Sequence, residues 1–180
     1  MFRKSERHSI KSRDFLLGGG GSYHPAPMVG FRAKGGWWVV AQALLLAALT
    51  ASWLLWGGDW GVAALAAGAV LAGAGAALAG SGLLVLGRHL SPYPTPRHDA
   101  ALVEHGPYRL ARHPIYGGII LGAAGLSVAD GNWPGLVIGA VLAGLFWGKS
   151  EFEERRLTAH FPGYAAYRAR VRGRLIPWVL

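Results

Sequence analysis

Charged residues are absent from two long stretches of the chain, Gly35 to Gly58 and Trp60 to Gly87, and from two shorter ones, Pro114 to Ala129 and Gly131 to Gly148. The first two exceed the roughly 20 residues that an α-helix needs to cross hydrocarbon, and each predicts a transmembrane helix. The second two are parted only by Asp130 and meet near Asn132-Trp133-Pro134. That spacing predicts a tight helical hairpin, whose first arm is short for a full span and calls for tilt or polar ends. The expected fold is an all-α integral membrane protein with about four transmembrane helices and a C-terminal helical hairpin.

Composition agrees. With 52% hydrophobic residues, 28 Gly and 8 Trp in 180, the chain is too apolar and too glycine-rich for an ordinary soluble domain. Helix two carries small residues at every fourth position, Gly68, Ala72, Ala76 and Gly80, with Ala69, Gly73, Ala77 and Ser81 beside them. Gly135, Gly139 and Ala143, and Ala140, Gly144 and Gly148, repeat the pattern in helix four. In lipid, small faces let helix backbones approach closely, which predicts a compact bundle and offers a face for a homodimer.

Charge sets the expected orientation. Seven of the Lys and Arg residues fall in 1–36, four in 88–113 and seven in 149–180, which is the whole complement of 18. The loops at Asp59 and Asp130 hold none. The segregation predicts a multi-pass protein with both termini and the 88–113 loop cytoplasmic. The net charge of +9 then reports topology and anionic membrane lipids rather than nucleic acid. Residues 1–36 mix basic residues with Gly18 to Gly21 and no apolar period, and are expected to be a disordered tail.

Chemistry concentrates around Arg112-His113-Pro114-Ile115-Tyr116. The residue before a proline avoids the α region and proline suits a first helical turn, so a helix should begin at Pro114 with free N–H groups suited to an anion. Lys149, Glu153 and Leu157 follow at intervals of four, one face of the helix leaving the membrane. The aromatic set Phe161, Tyr164 and Tyr167 is placed to fold back as a lid. There is no cysteine, and His89, His98, His105 and His113 lack metal-ligand spacing, so no metal site is expected. Ala143 to Ser150 imitates a phosphate loop, but its Leu145, Phe146 and Trp147 continue a buried helix.

Leu102-Val103-x-x-Gly106-Pro107-Tyr108, Arg112-His113-Pro114-x-Tyr116-x-Gly118, Glu153-Glu154-x-x-Leu157 and Phe161 to Tyr167 with Ile176-Pro177 resemble the isoprenylcysteine carboxyl methyltransferase family, whose wider kin include the phospholipid N-methyltransferases. The resemblance implies an S-adenosylmethionine-dependent membrane methyltransferase without a Rossmann domain, its cytoplasmic segments binding the cofactor. It divides the chain into the tail, two transmembrane helices over 37–87 and a catalytic region over 88–180. It assigns Leu102, Val103, Tyr108, His113, Pro114, Ile115, Tyr116 and Glu153 to the cofactor and Lys149 to a lipidic or prenylated acceptor arriving from the bilayer. Glu153, Glu154 and His113 become the candidate catalytic residues, the last two as bases should the acceptor be an amine. Family members from eukaryotes carry Arg where Lys149 stands. Two other readings stay open: an NADPH-dependent membrane reductase of the sterol-reductase type, whose His-Pro-x-Tyr region is similar, and a non-enzymatic adaptor.

The topology is testable because the chain has no cysteine of its own. In intact cells an Asp130→Cys variant should react with an impermeant thiol reagent and an Ala165→Cys variant should not. Reversed labelling would refute the orientation.

Overall fold

The structure is a computed structural model that describes residues 30, 31, 35–91, 93 and 101–177, with the backbone alone at 88. Most of the expected tail over 1–36, including Gly18 to Gly21, lies outside the described residues, as does His98. Five α-helices follow in order: α1 (Gly36–Leu55), α2 (Gly61–Leu86), α3 (Pro114–Ala129), α4 (Trp133–His160) and α5 (Tyr164–Arg170). Short 3₁₀ turns stand at Gly87–His89 and Gly106–Arg109. No strand occurs among the described residues.

Three of these helices, α1, α2 and α4, are long and apolar enough to cross a membrane. Their exposed Leu44, Leu54, Val62, Val70, Leu84 and Val141 are the side chains expected where the solvent is lipid. The hairpin arm α3 has 16 residues. At 1.5 Å per residue it is about 24 Å long, short of the ~30 Å hydrocarbon core, as the sixteen-residue uncharged run implied for this arm. By contrast α4, with 28 residues, is about 42 Å long and carries its last turns beyond the core.

The main packing runs α1 on α4, α4 on α3, and α3 on α2. The α2–α3 seam is made of backbone against backbone. A Cβ built on Gly68 would strike Ala129 and Gly125, one on Gly75 would strike Gly122 and Gly118, and one on Gly118 would strike Ala79. The small-residue expectation therefore holds in kind, but the line is different. Contact passes through Gly68, Ala72, Gly75, Ala79 and Gly82, whereas Gly73 and Gly80 face open space. A strict spacing of four drifts off a helix face of 3.6 residues per turn, and alternating steps of four and three stay on it.

At one end of the bundle the two tight turns meet. The Gly58 amide donates to the Asp130 carbonyl (2.8 Å). Asn132 caps α4 by accepting from the Gly135 amide (2.7 Å), while its side-chain amide donates to the carbonyls of Ser52 (2.7 Å) and Trp56 (2.6 Å) at the end of α1. Asp59 and Asp130 thus share one end of the bundle, and Arg109, Arg112, Arg168, Arg170, Arg172 and Arg174 lie at the other. There the C-terminal segment crosses the start of α3: Arg112 and His113 donate backbone N–H groups to the carbonyls of Gly173 (2.9 Å) and Arg174 (2.7 Å). The carbonyl of Leu175 lies where a Cβ on Gly117 would be, so the crossing requires glycine at 117.

Two substitutions one helical face apart test the seam. Gly75→Leu should lower thermal stability in detergent by ~1–3 kcal/mol because it forces α2 away from α3. Gly73→Leu, pointing into lipid, should leave the melting temperature nearly unchanged.

Candidate functional site

A cavity of about 520 Å³ opens at the basic end of the bundle. Its size suits a cofactor or a drug-sized ligand. α1 contributes Val39 and Gln42, α2 contributes Leu83 and Leu86, and the loop before α3 contributes Leu102, Val103, Tyr108, Arg112 and His113. Ile115, Tyr116 and Ile119 come from α3, and Lys149, Glu153 and Leu157 from α4. Phe161, Tyr164 and Tyr167 close one wall, so the aromatic segment after α4 does fold back over the cavity.

Local chain physics places these groups. Pro114 begins α3, as its fixed φ favours, and holds His113 outside the helix at φ −128°, ψ 62°. Just ahead of α3, the Arg112 and His113 N–H groups are taken by the Gly173 and Arg174 carbonyls. His113 stacks on Tyr116 (centroids 5.6 Å apart, 3° between planes), and Tyr116 stacks on Phe146 (4.5 Å, 7°). The Tyr116 hydroxyl donates to Glu153 Oε1 (2.6 Å), and Glu153 Oε2 lies 3.3 Å from His113 Nδ1. Lys149 Nζ stands 5.0 Å from the centre of the Tyr116 ring and donates to Gln42 Oε1 (2.7 Å).

Charges that flank the cavity decide protonation. Burial alone would push the His113 imidazole down, but the carboxylates of Glu153 and Glu154 outweigh it and hold the imidazolium above the ordinary histidine range. Tyr108 is pushed up to about 12 by burial and by the Glu153 charge. Tyr164 and Tyr167 are likewise raised by burial. The phenols are therefore neutral, offering aromatic faces and hydroxyl donors.

Glu154 is placed differently from its neighbour. Its side chain is 1% exposed and does not line the cavity. Arg112 Nε donates to its Oε1 (2.8 Å), and Arg168 (3.4 Å) and Arg174 (3.6 Å) close around it. His113 Nε2 is 3.4 Å from the same oxygen without hydrogen-bond alignment. Arg112 goes on to the carbonyls of Val171 (2.6 Å) and Arg172 (3.0 Å). This cluster pins the C-terminal segment, so its carboxylate is spoken for and is poorly placed to act as a base toward a ligand in the cavity. Pro114 also departs from expectation: it packs at the α2–α3 seam near Gly82 and does not line the cavity.

The remaining expected residues, Leu102, Val103, Tyr108, His113, Ile115, Tyr116, Glu153 and Lys149, all line it together. The sequence reading missed the α1 and α2 contributions and so confined the site to 88–180. One signal was available: Gln42 is the single amide in the first uncharged run.

Residues 63–163, more than half of the chain, match the family model for phospholipid methyltransferase. The chain belongs to that family. No curated protein matches it. The protein is thus a membrane methyltransferase that acts on a lipid substrate, and members of this family generally use S-adenosylmethionine. The donor set of the cavity fits that cofactor: a carboxylate at Glu153 for its ammonium, and a neutral aromatic side chain at Tyr108 for its sulfonium or adenine.

The His113 cluster should be visible as a pH dependence of stability. Its folded-state pKa is raised above the ordinary 6.5, so its contribution is fully present below pH 6.5 and is lost as pH rises through the folded value. Melting temperatures in detergent should therefore fall between pH 6 and pH 9, and His113→Gln should flatten that interval. A wild-type profile in the variant would place the titration elsewhere.

Proposed function

We propose that the protein methylates a carboxylate on a lipidic acceptor, of the isoprenylcysteine type, and that Lys149 receives that carboxylate. The observation that carries this reading is the surroundings of Lys149. It is 3% exposed, lines the cavity, and has an amide oxygen and a ring face as its neighbours. No carboxylate among the described residues lies within ion-pair distance of it. A cation held away from water without a direct ion pair favours an anionic ligand and disfavours an ammonium.

Bound S-adenosylmethionine would supply a methyl group on a positively charged sulfur. Glu153 would hold the cofactor's ammonium, with its own position fixed by the Tyr116 hydroxyl and the His113 imidazolium. Lys149 would orient the acceptor carboxylate from the side of α1 and α4. A carboxylate is already ionised near neutral pH, so no proton must be removed before attack and catalysis can rest on alignment. Leu83, Leu86, Ile115 and Ile119 give the apolar wall that a lipid chain would follow.

The product separates carboxyl from amine transfer. Membranes containing the protein, given a labelled methyl donor, should label a prenylated cysteine analogue with methyl that alkali releases as volatile methanol, and should leave phosphatidylethanolamine unlabelled. Alkali-stable label on phosphatidylethanolamine alone would show amine methylation instead.

Two variants separate cofactor from acceptor. Glu153→Gln should weaken S-adenosylhomocysteine by roughly 1.5–3 kcal/mol, about ten- to a hundred-fold. Lys149→Ala should spare that affinity and raise the acceptor KM or lower turnover. Calorimetry giving equal S-adenosylhomocysteine affinities for wild type and Glu153→Gln would move the cofactor to another part of the cavity.

A further inference from the structure

Gln42 lies on α1, outside the residues that match the family model and outside every motif of the sequence resemblance. Its side chain nevertheless lines the cavity. One turn earlier, Trp38 packs against α4 at Gly148, where a Cβ would come within 2.9 Å of the indole, and its ring meets Phe152 at 6.2 Å. This close approach fixes the register of α1 on α4 and sets Gln42, four residues on, against Lys149, one residue on. The result is the 2.7 Å bond from Lys149 Nζ to Gln42 Oε1.

We propose that Gln42 is a specificity-determining residue: its neutral oxygen holds Lys149 in place at the cavity wall without adding a counter-charge, so that the cavity selects an anionic headgroup on the lipid. This rests on the placement of the acceptor beside Lys149 argued above. An ammonium has three donors, of which Gln42 takes one, and the others are available to a ligand. A carboxylate at the same position would form an ion pair with Lys149 and cancel the attraction. An apolar residue there would leave Lys149 without its anchor, a long flexible side chain free to leave the productive position. Because the effect lies in the difference between charged and neutral ligands, a purely structural role for Gln42 would not produce it.

The test is a binding measurement on the full-length protein in detergent, saturated with S-adenosylhomocysteine, titrated with S-farnesylthioacetic acid and with its methyl ester. Wild type should bind the acid at least about tenfold more tightly than the ester. Gln42→Glu should bring the two within about twofold while S-adenosylhomocysteine affinity stays at the wild-type value. Gln42→Met, which is similar in volume, should weaken the acid by about fivefold and leave the ester unchanged. Wild-type discrimination retained in Gln42→Glu would overturn the proposal. If that variant loses S-adenosylhomocysteine binding through misfolding, an unchanged acid affinity in Gln42→Met overturns it instead. A wild type that does not prefer the acid overturns it as well. Alkali-stable product from the wild type in the methylation assay is a separate failure, that of the carboxyl reading, and leaves the charge preference measurable in these titrations.

Discussion

The buried carboxylate of Glu154 is the constraint on which the basic end of the molecule depends. Alone, an ionised group 1% exposed would be prohibitively costly. With Arg112 in hydrogen-bond contact and Arg168 and Arg174 nearby, it is compensated, and each partner comes from a different part of the chain. Arg112 immediately precedes the start of α3, Arg168 is on α5 and Arg174 is in the C-terminal segment. Removing one partner from such a cluster costs more than the pair would appear to contribute, because the others remain buried and uncompensated. The cluster thereby orders the backbone around the cavity without any member having to act on a ligand.

Adjacent residues on α4 carry opposite duties for a geometric reason. Successive helix positions are separated by about 100°, so Glu153 faces the cavity while Glu154 faces the C-terminal segment. His113 lies between them, near both carboxylates, and couples the cavity wall to the cluster behind it. The site is thus supported by an outer layer of charge, the arrangement that keeps an inner group within the small tolerance that methyl transfer requires.

Glycine plays the equivalent part in the apolar half of the bundle. α3 is too short to span on its own, yet it lies flush on α2 because Gly68, Gly75, Gly118 and Gly125 remove the side chains that would hold the backbones apart. In lipid, where burial of apolar area gives no advantage between helices, such close contact is the main attraction available. Gly117 allows the same closeness to the C-terminal segment at the cavity end.

By itself the sequence determined the class of fold and pointed to part of the cavity's lining. Uncharged runs of sufficient length can only be helices in a bilayer, since every backbone group must be satisfied within the segment. Pro114 marks a helix start through its fixed φ, and Lys149 and Glu153 share a face through helical period alone. These are local effects, readable along the chain. Tertiary structure alone decided that Glu154 belongs to a buried cluster of arginines and that Pro114 belongs to a seam. It also decided that the small-residue line steps by fours and threes, and that Gln42 of α1 reaches Lys149 of α4 across 107 positions of sequence. Each of these is a contact between distant segments, fixed by which faces meet when the helices pack, and no pattern within one helix records its partner.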